Sequence, residues 1–190
     1  VTEAGEHFTP RDYVALLADI AVLPIADHIE SATYSIYDAA CGTGGILSVA
    51  EQSIRAIAER QHKQVKIDLY GQELQPETYA TCKADLMLSS EGSSFSYKHA
   101  GAERERFYYG STISRDGHPG MHFDFCISNP PFGTPWKEDL KAWGLTDKEK
   151  DRISDARFVL SDGNGGEPLS FVPSISDPQM LFLANNLSRM

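Results

Sequence analysis

An apolar run that ends in two consecutive prolines is the feature of this sequence that most constrains its fold. Residues 123–128 read Phe-Asp-Phe-Cys-Ile-Ser, a pattern typical of a β-strand, and Asn-Pro-Pro-Phe follows directly as residues 129–132. Proline has no backbone N–H to donate to a sheet, so the strand must end before this segment. We therefore expect residues 129–132 to lie at the carboxyl end of a strand, where open α/β sheets bind their ligands.

Strand-like and helix-like segments alternate along the chain. Apolar residues at helical spacing predict one helix that ends near Gln61 and another that begins at Pro76. The alternation predicts βαβ units and a doubly wound, mostly parallel sheet in a single α/β domain over residues 1–190. The predicted strands are 34–40, 65–73, 106–111 and 123–128.

A further helix is predicted near the start of the chain. Thr9 is suited to cap it, with Pro10 at the first helical position and Asp12 placed to complete a capping box. Apolar residues then share one face, as in an amphipathic helix: Tyr13, Leu16, Leu17 and Ile20.

The composition is that of a globular protein with an acidic balance, 41% hydrophobic residues and a net charge of −10. Such a chain offers no strong positive field to phosphates, so tight nucleic-acid binding would need a cationic partner or a further region. No apolar run approaches the roughly 18 residues of a membrane helix and no leader precedes the first helix, so we expect a cytoplasmic protein. Because the chain starts at Val1 and ends in an apparent helix without a closing strand, we expect a fragment truncated on its C-terminal side.

The helical and strand patterns are lost between Gly133 and Ser176, where Lys, Asp and Gly are frequent. Segments this long without a pattern are usually functional or disordered, and we predict a long mobile loop over 133–176. No metal site is expected, because Pro119 and Gly120 break any helix that could bring His118 and His122 together. The three cysteines are far apart and do not suggest a disulfide framework.

A glycine-rich turn follows the first strand, in the sequence Asp-Ala-Ala-Cys-Gly-Thr-Gly-Gly at 38–45. Glycines let a ligand approach the backbone, and the helix N-terminus beyond them favours an anionic group such as a carboxylate. The alternative is a tight turn that binds nothing. A dinucleotide fingerprint is disfavoured because Leu47 stands where it requires glycine, and a phosphate-binding loop would need Gly-Lys-Ser/Thr.

Glu73 and the Asn-Pro-Pro-Phe segment complete the candidate site. At the end of the second strand, the Glu73 carboxylate can accept both hydroxyl protons of a ribose, although it could also be a plain surface residue. The Asn129 side chain and the Pro130 main chain offer two carbonyl acceptors, which suit an amino group with two N–H donors. Phe132 offers a face for stacking a planar ring, the alternative being a core Phe in a turn.

These linked motifs resemble an S-adenosylmethionine-dependent N6-adenine DNA methyltransferase. With Glu-His-Phe-Thr-Pro-Arg at 6–11 and the later Asp-Ala-Arg-Phe at 155–158, the chain is similar to the modification (M) subunit of type I restriction-modification systems. The resemblance implies a Rossmann-like methyltransferase domain that binds S-adenosylmethionine. It further implies action on DNA through a specificity (S) subunit, in a system that also has a restriction (R) subunit.

The resemblance also implies roles for individual residues. Ser111 departs from the family pattern, in which the third strand usually ends in an Asp near the adenine part of the cofactor or the target. The residues implied to bind the cofactor are Glu6, His7, Phe8, Thr9, Pro10, Arg11, Asp38, Thr43, Gly44, Gly45 and Glu73, and the implied catalytic pocket is Asn129, Pro130, Pro131 and Phe132.

Two alternatives stay open. Asn-Pro-Pro followed by an aromatic residue also serves methyltransferases that act on protein glutamine or on guanine in RNA. A truncated chain could instead be a cofactor-binding module without turnover. Cytosine C5 methylation is disfavoured because it uses a Pro-Cys nucleophile, whereas Cys126 lies inside a predicted strand and is read as core.

Overall fold

A four-stranded parallel sheet forms the centre of the fold in the computed structural model, which describes residues 9–89, 105–160, 169–170 and 172–190. The strand order is β3-β2-β1-β4, so the chain moves outward from β1 to β3 and then returns to the other side of β1. The carboxyl ends of β1 and β4 therefore meet at a topological switch point. The strands are β1 (Thr33–Asp38), β2 (Lys66–Glu73), β3 (Phe107–Tyr109) and β4 (Phe125–Cys126).

Helices cover both faces of this sheet, which confirms the doubly wound prediction. Successive strand residues point to opposite faces, so Ile36 belongs to one core and Tyr37 to the other. The first core is formed with α1 (Arg11–Val22), α2 (Gly45–Arg60) and α3 (Pro76–Ser89). The second is formed with α4 (Lys137–Ala142) and α5 (Gln179–Leu187).

The first helix differs from its prediction in two respects. Pro10 is its N-cap and no side chain caps it, so the prediction that Thr9 caps the helix is wrong. The face that packs on the core is not the one with the largest apolar residues. Val14, Ala18 and Val22 are buried, whereas Tyr13, Leu16 and Ile20 are each more than half exposed.

The segment 133–176, predicted as a long mobile loop, contains short regular elements in its described part. Its described part contains α4, short 3-10 helices at Asp147–Arg152 and Ala156–Phe158, and an antiparallel pair of two-residue strands, β5 (Val159–Leu160) and β6 (Leu169–Ser170). Trp136 and Leu140 are buried in the second core and fix α4 to the sheet. The remainder of the predicted loop, residues 161–168 and 171, lies outside the described residues.

Two general properties follow from the described residues. None of their helices has the length and apolar character needed to cross a lipid bilayer. Nor do they contain a group of three or more His, Cys, Asp or Glu side chains placed to hold a metal ion. His118 is buried beside the rings of Tyr37, Tyr70 and Phe123, and His122 is exposed.

Candidate active site

The glycine turn and the Asn-Pro-Pro-Phe segment lie side by side at the switch point. The Ile127 N–H donates to the Tyr37 carbonyl at 3.0 Å and extends the pairing of β4 with β1. One residue further, the Ala39 N–H donates to the Ser128 hydroxyl oxygen at 2.9 Å. Ser128, the residue before Asn129, thus ties the start of the glycine turn to the Asn-Pro-Pro-Phe segment, a connection that the sequence did not reveal.

Backbone hydrogen bonds hold the glycine turn against β2. The Cys41 N–H donates to the Gln72 carbonyl at 3.0 Å, and the Gly44 N–H donates to the Cys41 carbonyl at 2.8 Å. Gly44 is the N-cap of α2, and no side chain caps this helix. Among the described residues, the first-turn N–H groups of α2 therefore have no capping side chain and could bind an anionic ligand group.

The two adjacent glycines at the start of α2 have different surroundings. Gly44 has a φ of 85°, and a Cβ on it would lie 2.9 Å from the buried Cys82 sulfur. Its missing side chain is thus required for the turn and for packing against α3. Gly45 is helical and exposed, and a Cβ there would meet nothing within 4 Å. Gly45 therefore leaves open space beside the turn, as does Gly42, which has a φ of 54°.

Glu73 is held in one orientation by two backbone N–H groups. Its Oε2 accepts from Gly42 at 2.9 Å and its Oε1 from Gln75 at 2.8 Å. A carboxylate has about four acceptor positions, so two remain for ligand hydroxyls. Glu73 also connects the glycine turn to the end of β2, as its position in the sequence suggested.

Asp38 is fully buried beneath the same turn. Its Oδ1 accepts from the Ala40 N–H at 3.0 Å, and its Oδ2 has no hydrogen-bond partner among the described residues. Burial raises the pKa of the Asp38 carboxyl to about 7, although the Ala40 N–H and the Ser128 hydroxyl act in the opposite direction. The enclosed Asp38 carboxyl therefore stabilises the turn through its hydrogen bond with the Ala40 N–H.

The Asn-Pro-Pro-Phe segment presents its functional groups at the surface. Asn129 is exposed, and its Nδ2 donates to the Thr9 hydroxyl oxygen at 2.9 Å. Its Oδ1 and the Pro130 carbonyl accept no hydrogen bond within the part of the chain that the structure describes. Phe132 is 58% exposed, so the alternative of a core Phe is wrong.

The remaining predicted residues are only partly placed. Pro10 and Arg11 are exposed at the start of α1, and Thr43 is half-buried in the turn. Glu6, His7 and Phe8 lie outside the described residues. Thr9 accepts from Asn129 across 120 positions of sequence, so the chain just before α1 contacts the Asn-Pro-Pro-Phe segment directly.

Arg157 is a supporting residue that sequence reasoning missed. Its buried guanidinium donates to the carbonyls of Thr112 and Ile113 at 2.7 and 2.9 Å and to the Asn185 side chain at 3.0 Å. It also pairs with the Asp155 carboxylate at 2.6 Å. Arg157 therefore joins the segment after α4, the residues that follow β3, and α5.

Comparison with known proteins agrees with this architecture. Residues 1–169 match the family model described as N-6 DNA Methylase. The chain belongs to the N-6 DNA methylase family. The prediction of an N6-adenine methyltransferase family from the sequence motifs is thereby confirmed.

Individual relatives of this chain are methylase subunits of type I restriction enzymes. It is similar to the methylase subunit of the type I restriction enzyme MpnII of Mycoplasma pneumoniae, with 29% identity over 155 residues, 81% of this chain and 25% of the relative. The corresponding subunit of HindI from Haemophilus influenzae is 25% identical over 139 residues, 72% of this chain and 27% of the relative. The chain thus spans about a quarter of the length of these relatives.

A solved structure shows the same fold. The methyltransferase subunit of a type I restriction-modification system from Streptococcus thermophilus matches with a TM-score of 0.65 and 22% identity, over 99% of this chain and 33% of that one. This confirms the Rossmann-like methyltransferase fold that the sequence predicted.

Proposed function

We propose that this methylase chain carries the catalytic site of an S-adenosylmethionine-dependent methyltransferase that modifies the N6 amine of adenine in double-stranded DNA. The observation that carries the proposal is the pair of acceptors at the switch point, Asn129 Oδ1 and the Pro130 carbonyl, beside the glycine turn. Membership of the N-6 DNA methylase family supports the choice of adenine.

The residues around the glycine turn fit S-adenosylmethionine, which supplies an electrophilic methyl group on a sulfonium when it is bound. Glu73 is oriented to accept the two ribose hydroxyls. The uncapped start of α2, with open space at Gly45, suits the carboxylate of the methionine part. Asp38 fixes the turn through Ala40, and Thr43 and Gly44 complete it.

An exocyclic amine is a weak nucleophile because its lone pair is conjugated with the ring. The acceptor pair can increase this nucleophilicity. When Asn129 Oδ1 and the Pro130 carbonyl accept the two N–H groups, they draw the lone pair out of the ring toward the incoming methyl. Phe132 has an exposed ring on which an extruded base can stack. The Thr9 hydroxyl holds Asn129 Nδ2, which leaves Oδ1 for the amine.

The cellular context is part of the same proposal. We infer that the chain belongs to the M subunit of a type I system, with a specificity subunit that reads the DNA sequence and a restriction subunit. The net charge of −10 supports reliance on a partner for the positive field that DNA requires. The cytoplasm, where DNA is accessible, is the expected location.

The proposal is tested in two steps. Calorimetry on the chain with S-adenosylhomocysteine should show one site, and a folded sample that does not bind would contradict the cofactor assignment. Methyl transfer to DNA should then be measured with the full-length product assembled with its specificity subunit.

In that assembly Asn129→Ala should reduce transfer by about a hundred- to a thousandfold, because an acceptor made for the transition state is lost. Gln52→Ala removes an exposed carboxamide on α2 and serves as the matched control. Asn129→Ala with normal activity would refute the acceptor pair. Mass spectrometry that located the methyl group on protein or RNA would redirect the substrate assignment and leave the cofactor site intact.

A further inference from the structure

A carboxylate from α4 reaches the carboxyl end of β3. Asp139 is half-buried, and its Oδ1 accepts from the hydroxyls of Ser111 and Ser114 at 2.6 and 2.7 Å. Leu140, the next residue on α4, is fully buried in the second core, as is Trp136 just before the helix. The position of the Asp139 carboxylate is therefore fixed by the packing of α4 and by two hydrogen bonds.

This carboxylate lies one strand away from the residue proposed to hold a ribose. Glu73 pairs with Tyr109 in the register of β2 and β3, and the Gly110 N–H donates to the Glu73 carbonyl at 2.9 Å. Ser111 follows Gly110 and bonds Asp139. Contacts thus run without interruption from Glu73 along the sheet edge to Asp139.

Only one oxygen of Asp139 is used by the serines. Within the described residues, Oδ2 accepts no hydrogen bond, while both hydroxyls converge on Oδ1. If the carboxylate only fastened α4 to the residues after β3, a neutral acceptor would do the same. The second, charged oxygen is suited to a ligand group that donates an N–H.

We propose that Asp139 accepts a hydrogen bond from the exocyclic amine of the cofactor's adenine ring, an assignment that rests on the proposed function. A base that extends toward β3 from a ribose at Glu73 can reach Asp139, because adjacent strands are only about 4.8 Å apart, less than the span from a ribose to the far edge of a purine. The carboxylate absent at Ser111 is supplied by α4, 28 residues later in the chain.

The decisive experiment compares two ligands that differ at the amine. S-adenosylhomocysteine carries it, whereas S-inosylhomocysteine has a carbonyl oxygen, an acceptor, in its place. The ratio of the two dissociation constants is measured by calorimetry on the wild-type chain and on Asp139→Asn. The variant keeps an oxygen for the serines and presents an amide N–H to the ligand.

Asp139→Asn should shift the ratio toward the inosyl ligand by at least about tenfold, because a hydrogen bond to a charged group is lost and a donor now meets the carbonyl. Glu138→Gln, the same change at an exposed neighbour on α4, should leave the ratio unchanged. An unchanged ratio in Asp139→Asn overturns the assignment while S-adenosylhomocysteine still binds. If the folded wild-type chain binds neither ligand, the proposed function fails as well.

A second variant moves the carboxylate from the helix to the strand. The double substitution Ser111→Asp with Asp139→Ser should recover most of the wild-type ratio, since the acid again lies at the end of β3. A folded double variant, checked by circular dichroism, that retains the ratio of Asp139→Asn would count against the proposal. A role confined to fastening α4 would change stability and leave the ratio as it is.

Discussion

The contact between Thr9 and Asn129 decides which way the Asn129 amide points. Nδ2 donates to the threonine hydroxyl, so Oδ1 is turned to the other side of the amide. Nothing in the local sequence indicates this, because Thr9 before Pro10 has the pattern of a helix cap. In the structure, the Thr9 hydroxyl oxygen accepts a hydrogen bond from Asn129 in the Asn-Pro-Pro-Phe segment.

Replacing Thr9 with Val keeps the shape of the side chain and removes the hydroxyl. We expect methyl transfer by the full assembly to fall by about five- to tenfold, the equivalent of one lost hydrogen bond, while affinity for S-adenosylhomocysteine is unchanged. Thr9→Ser should restore the rate. An equal loss of cofactor affinity in Thr9→Val would instead make Thr9 a cofactor ligand, as the resemblance implied.

Among the elements, the glycine turn is expected to serve both folding and the binding of the proposed cofactor. Gly44 takes a positive φ and abuts Cys82 on α3, so it serves the packing of the turn. Gly45 takes helical backbone and faces open space. Two neighbouring glycines that look alike in the sequence are thus expected to respond differently to the same substitution.

Gly44→Ala should lower the free energy of unfolding by about 2 kcal/mol or more, because alanine is strained at this φ and its Cβ meets the Cys82 sulfur. Gly45→Ala should leave stability unchanged or slightly higher and weaken S-adenosylhomocysteine binding by about tenfold or more, since its methyl occupies the open space. Urea denaturation and calorimetry on both variants measure the two effects. Wild-type affinity in Gly45→Ala would place the ligand elsewhere.

The sequence was a good guide to elements whose pattern is local. Strand alternation, the glycine turn and the prolines after β4 predicted the sheet and the edge at which the candidate site lies. The buried face of α1 was missed because Val14, Ala18 and Val22 are smaller than the apolar residues on the exposed face. The contact of Asp139 with Ser111 was missed because it joins residues 28 positions apart through tertiary packing.

For the whole molecule, the two cores meet at the end of β1. Ile36 faces one core, Tyr37 faces the other, and Asp38 is the next residue, enclosed between the sheet and the glycine turn. Arg157 binds the segment after α4 to the residues that follow β3. A carboxyl group so enclosed couples the stability of the whole fold to pH.

The direction of this coupling follows from the raised pKa of Asp38. Between its ordinary pKa of 3.8 and the folded value of about 7, the native carboxyl keeps a proton that the unfolded chain has released. The native state binds more protons in this window, so Asp38 makes the free energy of unfolding fall as pH rises from about 4 to 7. Above that window its effect is constant.

Asp38→Asn should remove this dependence and keep an acceptor for the Ala40 N–H. The free energy of unfolding of the variant minus that of the wild type should increase by roughly 4 kcal/mol from pH 4 to pH 8. This amount corresponds to the raised pKa of Asp38. Urea denaturation across this range measures it, with Asp19→Asn on the exposed side of α1 as the matched control. If this difference in free energy of unfolding stays constant between pH 4 and pH 8, the Asp38 carboxyl is ionised over the whole range. Water or a cation must then reach it beneath the turn.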